Sequence, residues 1–311
     1  RNEIMKEEES HPKGSDETQE SKSERAKRIK RLSLSIFDLL DPQKPWVLVE
    51  NGSILGLFDW VPETLRIGPW SPLAPAVLFS MVYMATFGII LAYRSIRFET
   101  DPTSYPPAFS TWWYYNLMGF LWISWISIRI WFGRVGPYAW ATFTMWSWTL
   151  LQIRHFLSVL APWLQPESTG IKLLELLHYP MLMMHSMTFT VWNFILMPVV
   201  YFFFMKTEES RKQFLSYYTS FNLTQLHVFN IIFAYLNGVC ASPSRSLALS
   251  DFMTAFGITV VYALWYTLVL DRIGVHTYPI FSPRSPWMIV MWSLLILSQW
   301  VCFQIWKQVL R

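Results

Sequence analysis

Residues 251–270 read DFMTAFGITVVYALWYTLVL, a run without proline whose one charge, Asp251, sits at its leading edge. A helix crossing about 30 Å of hydrocarbon needs ~20 mostly apolar residues, and this run has that length. Working outward, comparable runs stand at about 74–94, 111–132, 138–162, 179–205, 222–240 and 287–307. The separators, among them RSIRFETDPTSYPP, GRVGP, KTEESRKQ and DRIGVHTYPIFSPRSP, carry the charges and turn formers of aqueous loops. Hydropathy alone allows six spans, because FNLTQLHVFN opens the run at 222–240 with polar side chains; seven are taken here. The expected fold is all-α, a polytopic transmembrane helical bundle of about seven spans over residues 74–307.

Composition excludes most other classes. The chain is 53% hydrophobic and 18% aromatic with only 15% charged residues, against about a quarter charged in a soluble domain. Its net charge of +4 comes with no groove-sized basic patch among the apolar runs, so lipids rather than nucleic acid are the expected partners. Cys240 and Cys302 are too few for a disulfide framework or a structural zinc site.

Residues 1–33 hold almost no apolar side chains and are expected to be a disordered charged tail. The tail ends in Lys27, Arg28, Lys30 and Arg31, either a solvated linker or a segment drawn to anionic headgroups. The first residue is Arg, which suggests a processed or incomplete N-terminus and leaves the organelle open. Residues 34–73 read as an interfacial linker. SLSIFDLL (Ser33–Leu40) suits a short interfacial helix, and Trp46, Phe58, Trp60 and Trp70 suit the membrane–water boundary. The segment 165–178 is expected to lie along the interface. Lys and Arg are nearly balanced between the two sides, with a slight preference for the N-terminus on the positive-inside face. Asn51 and Asn222 match the glycosylation acceptor pattern, the second by chance because it abuts a span.

Polar side chains inside apolar spans are expensive and face a partner or cavity. Thr144 and His155 fall on nearly one helical face about three turns apart, accompanied by Gln152 and Arg154. Thr144 alternatively bonds its own i−4 carbonyl, and Arg154 and His155 alternatively snorkel to the interface. His227, Asn230 and Asn237 line one stripe, fitting either a polar cavity or interhelical adhesion. His185, followed two turns later by Asn193, fits a satisfied core histidine or a cavity member. His155, His178, His185 and His227 raise the possibility of haem b, but their spacing does not repeat, and no cofactor is expected.

Several of these strings resemble, in order, a known family. FTMWSWTLLQ (143–152), MHSMTFTVWNF (184–194), LHVFNIIFAYLNG (226–238), VVYALWYTLVLDRIGVHTYPI (260–280) and SPRSPWMIVMW (282–292) resemble successive segments of the androgen-induced-gene/rolling-stone superfamily of multi-span membrane proteins. The plant and protist branch is nearest, and the likeness covers about residues 74–307. Its animal branch includes hydrolases of fatty-acid esters of hydroxy fatty acids. Carried over by motif, the resemblance implies Thr144 as nucleophile and His227 as base, with Asn230 orienting the imidazole or bonding the oxyanion. The chain departs from the hydrolase branch in having Thr224 and Val228 beside His227, and Asn237 where many relatives carry an acid.

Two functions follow as expectations. One is a lipid-ester hydrolase with an intramembrane site at Thr144 and His227, whose polar cavity draws on Gln152, His155, His185 and Asn237. The other is a non-catalytic accessory subunit of a large membrane complex that binds lipids through its aromatic spans. A receptor or transporter rests on span count alone, since no broken helix or inverted repeat points to one.

Overall fold

The computed structural model describes residues 29–31, 47–49, 69–93, 105–133, 136–243 and 245–310. Most of the charged tail, the segment Ser33–Leu40, Trp46, Asn51, Phe58 and Trp60 lie outside them. Ile29–Arg31 and Val47–Val49 pair as a short antiparallel ladder; every other described element is helical.

Among the described residues, nine α-helical segments build the body: α1 Ala74–Tyr93, α2 Thr111–Trp131, α3 Phe143–Leu160, α4 Thr169–Leu176 and α5 from His178–Val191 onward, then α6 Glu208–Tyr218, α7 beginning at Phe221–Thr224, α8 Leu249–Trp265 and α9 Met288–Val309. Three of them contain wider, π-type turns: Trp192–Leu196 and Val200–Phe204 in α5, Gln225–Phe229 and Leu236–Cys240 in α7, and Tyr266–Leu270 closing α8. The starts are set by local chemistry. Ser110, Thr142 and Ser168 each accept from the backbone N–H three residues on, and Thr207 and Ser210 form a capping box. Asp251 does the same in reverse for α8, accepting from Ala248 N at 2.8 Å.

Among the described residues, five stretches are long and apolar enough to cross a membrane: Ala74–Leu91, Thr169–Phe203, Phe221–Cys240, Leu249–Leu270 and Met288–Val309. The other two expected spans, α2 and α3, are helices of 21 and 18 residues whose hydropathy is lower. In α2 the cause is its Trp and Tyr content with Asn116 and Arg129; in α3 it is a set of polar side chains turned inward. The expected interfacial segment 165–178 contains the short helix α4, which runs into α5 at Leu177.

The outer surface is apolar, unlike that of a water-soluble bundle. Phe79, Tyr83, Phe87 and Ile90 on α1 face outward, as do Val290, Leu294, Leu297, Val301 and Ile305 on α9. Contiguous outward apolar faces of this size mark contact with lipid or protein, not water. The core is centred on α5, where every residue from His178 to Thr188 is buried. Its methionines, Met181, Met183, Met184 and Met187, pack against residues of α3, α7, α8 and α9, a use suited to a flexible thioether filling irregular gaps. Gly88 lets α8 approach α1, since a Cβ there would lie 1.7 Å from Met253 Cε.

Side-chain pairs give the body two ends. At one end Asp271 Oδ2 accepts from Trp70 Nε1 at 3.0 Å and from Arg284 Nη2 at 2.8 Å, while Ser71 N donates to Pro283 O at 2.8 Å. Burial raises the Asp271 carboxyl above its usual range, and Arg284 pulls the other way. At the other end Arg245 pairs with Asp251 at 2.6 Å and Glu175 at 3.1 Å, and Tyr105 donates to Glu175. The long helices run alternately between these ends.

Candidate functional site

Thr144 is the second residue of α3, in the turn that the Thr142 cap organises. Its side chain makes no i−4 back-bond. Instead Oγ1 stands 3.3 Å from His227 Nε2 and 3.5 Å from the Tyr278 hydroxyl, in a residue only 6% exposed. Helices three and seven thus turn their polar atoms toward each other, as the hydrolase expectation requires.

His227 lies within the π-type turn Gln225–Phe229. Its Nδ1 is 3.1 Å from the Leu223 carbonyl oxygen. A carbonyl only accepts, so Nδ1 carries the proton and Nε2 presents a lone pair to the Thr144 hydroxyl. The tautomer is therefore set by the backbone rather than by a carboxylate. On its other side the imidazole lies against the Trp192 indole, ring centroids 4.0 Å apart and planes 17° from parallel. Trp192 opens the π-type turn Trp192–Leu196 of α5, so two widened turns face one another across the site. Such turns recur at functional positions because they free backbone groups and re-aim side chains. Asn193 ties the two helices, donating to the Phe189 carbonyl at 2.7 Å and the His227 carbonyl at 2.9 Å, and its own oxygen accepts from the Tyr218 hydroxyl.

Thr144 and Tyr278 border a small cavity walled mainly by Phe143, Met187, Val191, Trp192, Leu196, Tyr262, Phe281, Trp292 and Leu295. The wall is almost wholly apolar, as in sites for ligands with long hydrocarbon parts. Two of its rings, Trp192 and Trp292, have buried indole N–H groups with no hydrogen-bond partner among the described residues.

Comparison with family models, curated proteins and solved structures gives no match.

The remaining sequence-derived residues divide. Asn230 is fully buried, but its Oδ1 accepts from the neighbouring Ile231 N at 2.7 Å, and no hydrogen bond joins it to Thr144 or His227. Gln152 turns to α2, donating to Ser124 Oγ at 2.9 Å. His155 and Asn237 do meet, three turns away from Thr144, around Asn116: its Oδ1 lies 3.1 Å from His155 Nδ1 and accepts from Asn237 Nδ2 at 2.8 Å. His185 is buried in α5, beside the backbone of Ser147. Arg154 and His155 do not snorkel: both are 0% exposed, and Arg154 Nη2 donates to Ser242 Oγ at 2.7 Å. No group of three His, Cys, Asp or Glu among the described residues is placed to hold a metal ion.

Sequence reasoning missed Trp192, Tyr278 and Asn116 as site or network members, and noted Asn193 only as following His185. Asn116 was detectable by the rule applied to the other spans, a strongly polar side chain inside WWYYNLMG. Trp192 and Tyr278 were hidden among many rings with packing roles.

Proposed function

We propose that the chain is a polytopic membrane protein, crossing the bilayer with α1, α2, α3, α5, α7, α8 and α9, that hydrolyses lipid esters through Thr144 and His227. The observation that carries this reading is the directed pair: a buried hydroxyl 3.3 Å from a histidine nitrogen whose ring is held in the base-competent tautomer by Leu223 O. A hydroxyl is weak at its free pKa and becomes a nucleophile when an adjacent base takes its proton during attack. The motif resemblance to the androgen-induced-gene/rolling-stone superfamily supports the same two residues independently.

In the proposed reaction the Thr144 Oγ attacks the ester carbonyl while its proton passes to His227 Nε2. The tetrahedral intermediate collapses, the bond to the alcohol oxygen breaks, and that oxygen takes the proton from Nε2. Water then attacks the acyl-threonine, Nε2 accepts its proton, and Thr144 recovers that proton as the fatty acid leaves. The apolar cavity suits the acyl chain, and the outward apolar faces of α1 and α9 suit a protein that draws its substrate from the bilayer.

The test uses the purified full-length protein in mild detergent with an alkyl fluorophosphonate and a p-nitrophenyl acyl ester. Wild type is expected to label and to turn over the ester; Thr144→Ala should do neither, and His227→Ala should lose about 10³-fold or more in rate. Equal labelling of wild type and Thr144→Ala would refute the assignment.

A second reading, an accessory subunit of a large membrane complex, is favoured by the aromatic side chains on the outer face of α2, where Trp112, Tyr114, Trp125 and Trp131 are exposed. Native mass measurement of the protein extracted from its own membrane separates the two: a lone chain with esterase activity, or a chain always accompanied by others and inert alone.

A further inference from the structure

Tyr278 sits on the connection between α8 and α9, 134 positions from Thr144, yet the two hydroxyls lie 3.5 Å apart at the cavity wall. Its place is not left to a free loop. The Tyr266 hydroxyl, rooted in α8, donates to the Tyr278 carbonyl at 2.8 Å and accepts from the Tyr278 N–H at 3.3 Å. The Tyr278 ring packs against those of Tyr266 and Phe281, and the connection is closed near its ends by the Asp271–Arg284 pair.

Hydrogen-bond direction through the site follows from one fixed point. Leu223 O can only accept, so His227 Nδ1 donates to it. His227 Nε2 must then accept, and the proton it faces is that of Thr144. With its own proton committed to His227, the Thr144 oxygen can only accept from Tyr278. In this arrangement the Tyr278 phenol donates to Thr144 and Thr144 to His227, while the Thr142 side chain and the backbone of Phe143 and Thr144 also lie beside the phenol.

We propose that Tyr278 is the oxyanion donor of this site. The inference rests on the hydrolase reading above. As Thr144 Oγ bonds to the carbonyl carbon, the π pair moves onto the carbonyl oxygen, which is bonded to the same carbon and within reach of the same phenol. The Tyr278 O–H turns from Thr144 Oγ to that oxygen, keeps its proton, and stabilises the charge until the pair re-forms the carbonyl. Donors placed where charge develops, in a water-poor cavity, act without reorganising at the moment of reaction. Burial holds the Tyr278 phenol above its ordinary pKa, so the donating form persists through the neutral range.

The test is Tyr278→Phe in the purified full-length protein, assayed with p-nitrophenyl decanoate and with a decyl trifluoromethyl ketone, which forms a tetrahedral adduct with an active-site hydroxyl. Removal of one oxyanion donor is expected to lower kcat by about 10²–10³-fold. KM should stay within about threefold, and affinity for the ketone should fall in parallel with kcat. A packing role alone would alter melting temperature and KM without that matched loss. If wild type is active, Thr144→Ala is inactive and Tyr278→Phe keeps its kcat within threefold, the oxyanion role is overturned while the hydrolase reading stands. If wild type shows no Thr144-dependent hydrolysis, both go. Should Tyr278→Phe fail to fold, difluorotyrosine at position 278 keeps the shape and lowers the phenol pKa: a severalfold change in kcat supports the donor, and an unchanged kcat overturns it.

Discussion

Trp192 lies nearly flat on the imidazole of His227, 4.0 Å between ring centroids, and the residue after it, Asn193, holds the backbone carbonyl of that same histidine at 2.9 Å. Two consecutive residues of one widened turn thus fix both the plane and the position of the proposed base. Replacing Trp192 with Leu removes the stack while leaving Thr144 and His227 in the chain. An aromatic pair contributes about 0.5–1.5 kcal/mol beyond its buried area, so esterase kcat should fall roughly tenfold. Trp192→Phe should recover most of it. Steady-state kinetics on the three proteins decide; an unaltered kcat in Trp192→Leu would remove the positioning role.

Gly119 borders the second polar network. A Cβ built there would lie 2.6 Å from His155 Cε1, and a buried ring has little room to retreat. Gly119→Ala should destabilise the protein by about 1–3 kcal/mol through overpacking. Activity per folded molecule should be preserved, because His155 bonds to Asn116 and not to Thr144. Thermal midpoint and active-site titration measured together check this; lost activity at unchanged stability would join the two networks.

The Asp271–Arg284 pair closes the connection that carries Tyr278, with Arg284 Nε at 3.1 Å from Oδ1 and Nη2 at 2.8 Å from Oδ2. Breaking a buried pair on one side leaves an uncompensated charge and costs about 3–5 kcal/mol, whereas replacing both partners by apolar residues is much milder. Arg284→Leu alone should therefore be more destabilising than Asp271→Leu combined with Arg284→Leu. Thermal unfolding in detergent of the four members of the cycle gives the answer, and a double variant worse than either single would contradict it.

The phenol of Tyr278 is raised from its ordinary value of 10.0, chiefly by burial. The unfolded chain therefore loses this proton first as pH increases. The stability contributed by the group is complete below pH 10 and is lost as pH rises through the folded-state value. Melting temperatures of wild type and Tyr278→Phe should keep a constant difference up to about pH 9, and wild type should fall faster above pH 10. A difference that changes between pH 6 and 8 would show a different titrating group at work.

How much of this was legible beforehand differs from residue to residue. Thr144 and His227 were found by motif, and the structure brings them together across 83 positions. Asn230 was expected on the same stripe as His227 from ideal helical spacing, yet no hydrogen bond joins the two side chains among the described residues. His227 lies in one widened turn and Asn237 in another, and each such turn holds one residue more than an α-turn. The extra residue rotates everything after it by about 100°, so Asn230 turns its oxygen to Ile231 N and Asn237 meets His155 and Asn116 instead. Nothing in FNLTQLHVFN signals where that extra residue falls.

From composition and the length of its apolar runs alone, the chain's helical bundle character was determined, because hydrocarbon-length helices leave no other way to satisfy so many backbone groups away from water. The presence of polar groups inside that bundle was determined too, since they stand in the runs. Which of them meet was decided only by the tertiary structure. The partners of Thr144 come from α7 and from the α8–α9 connection, and contacts between separate helices depend on packing angles and turn widths that local sequence does not encode.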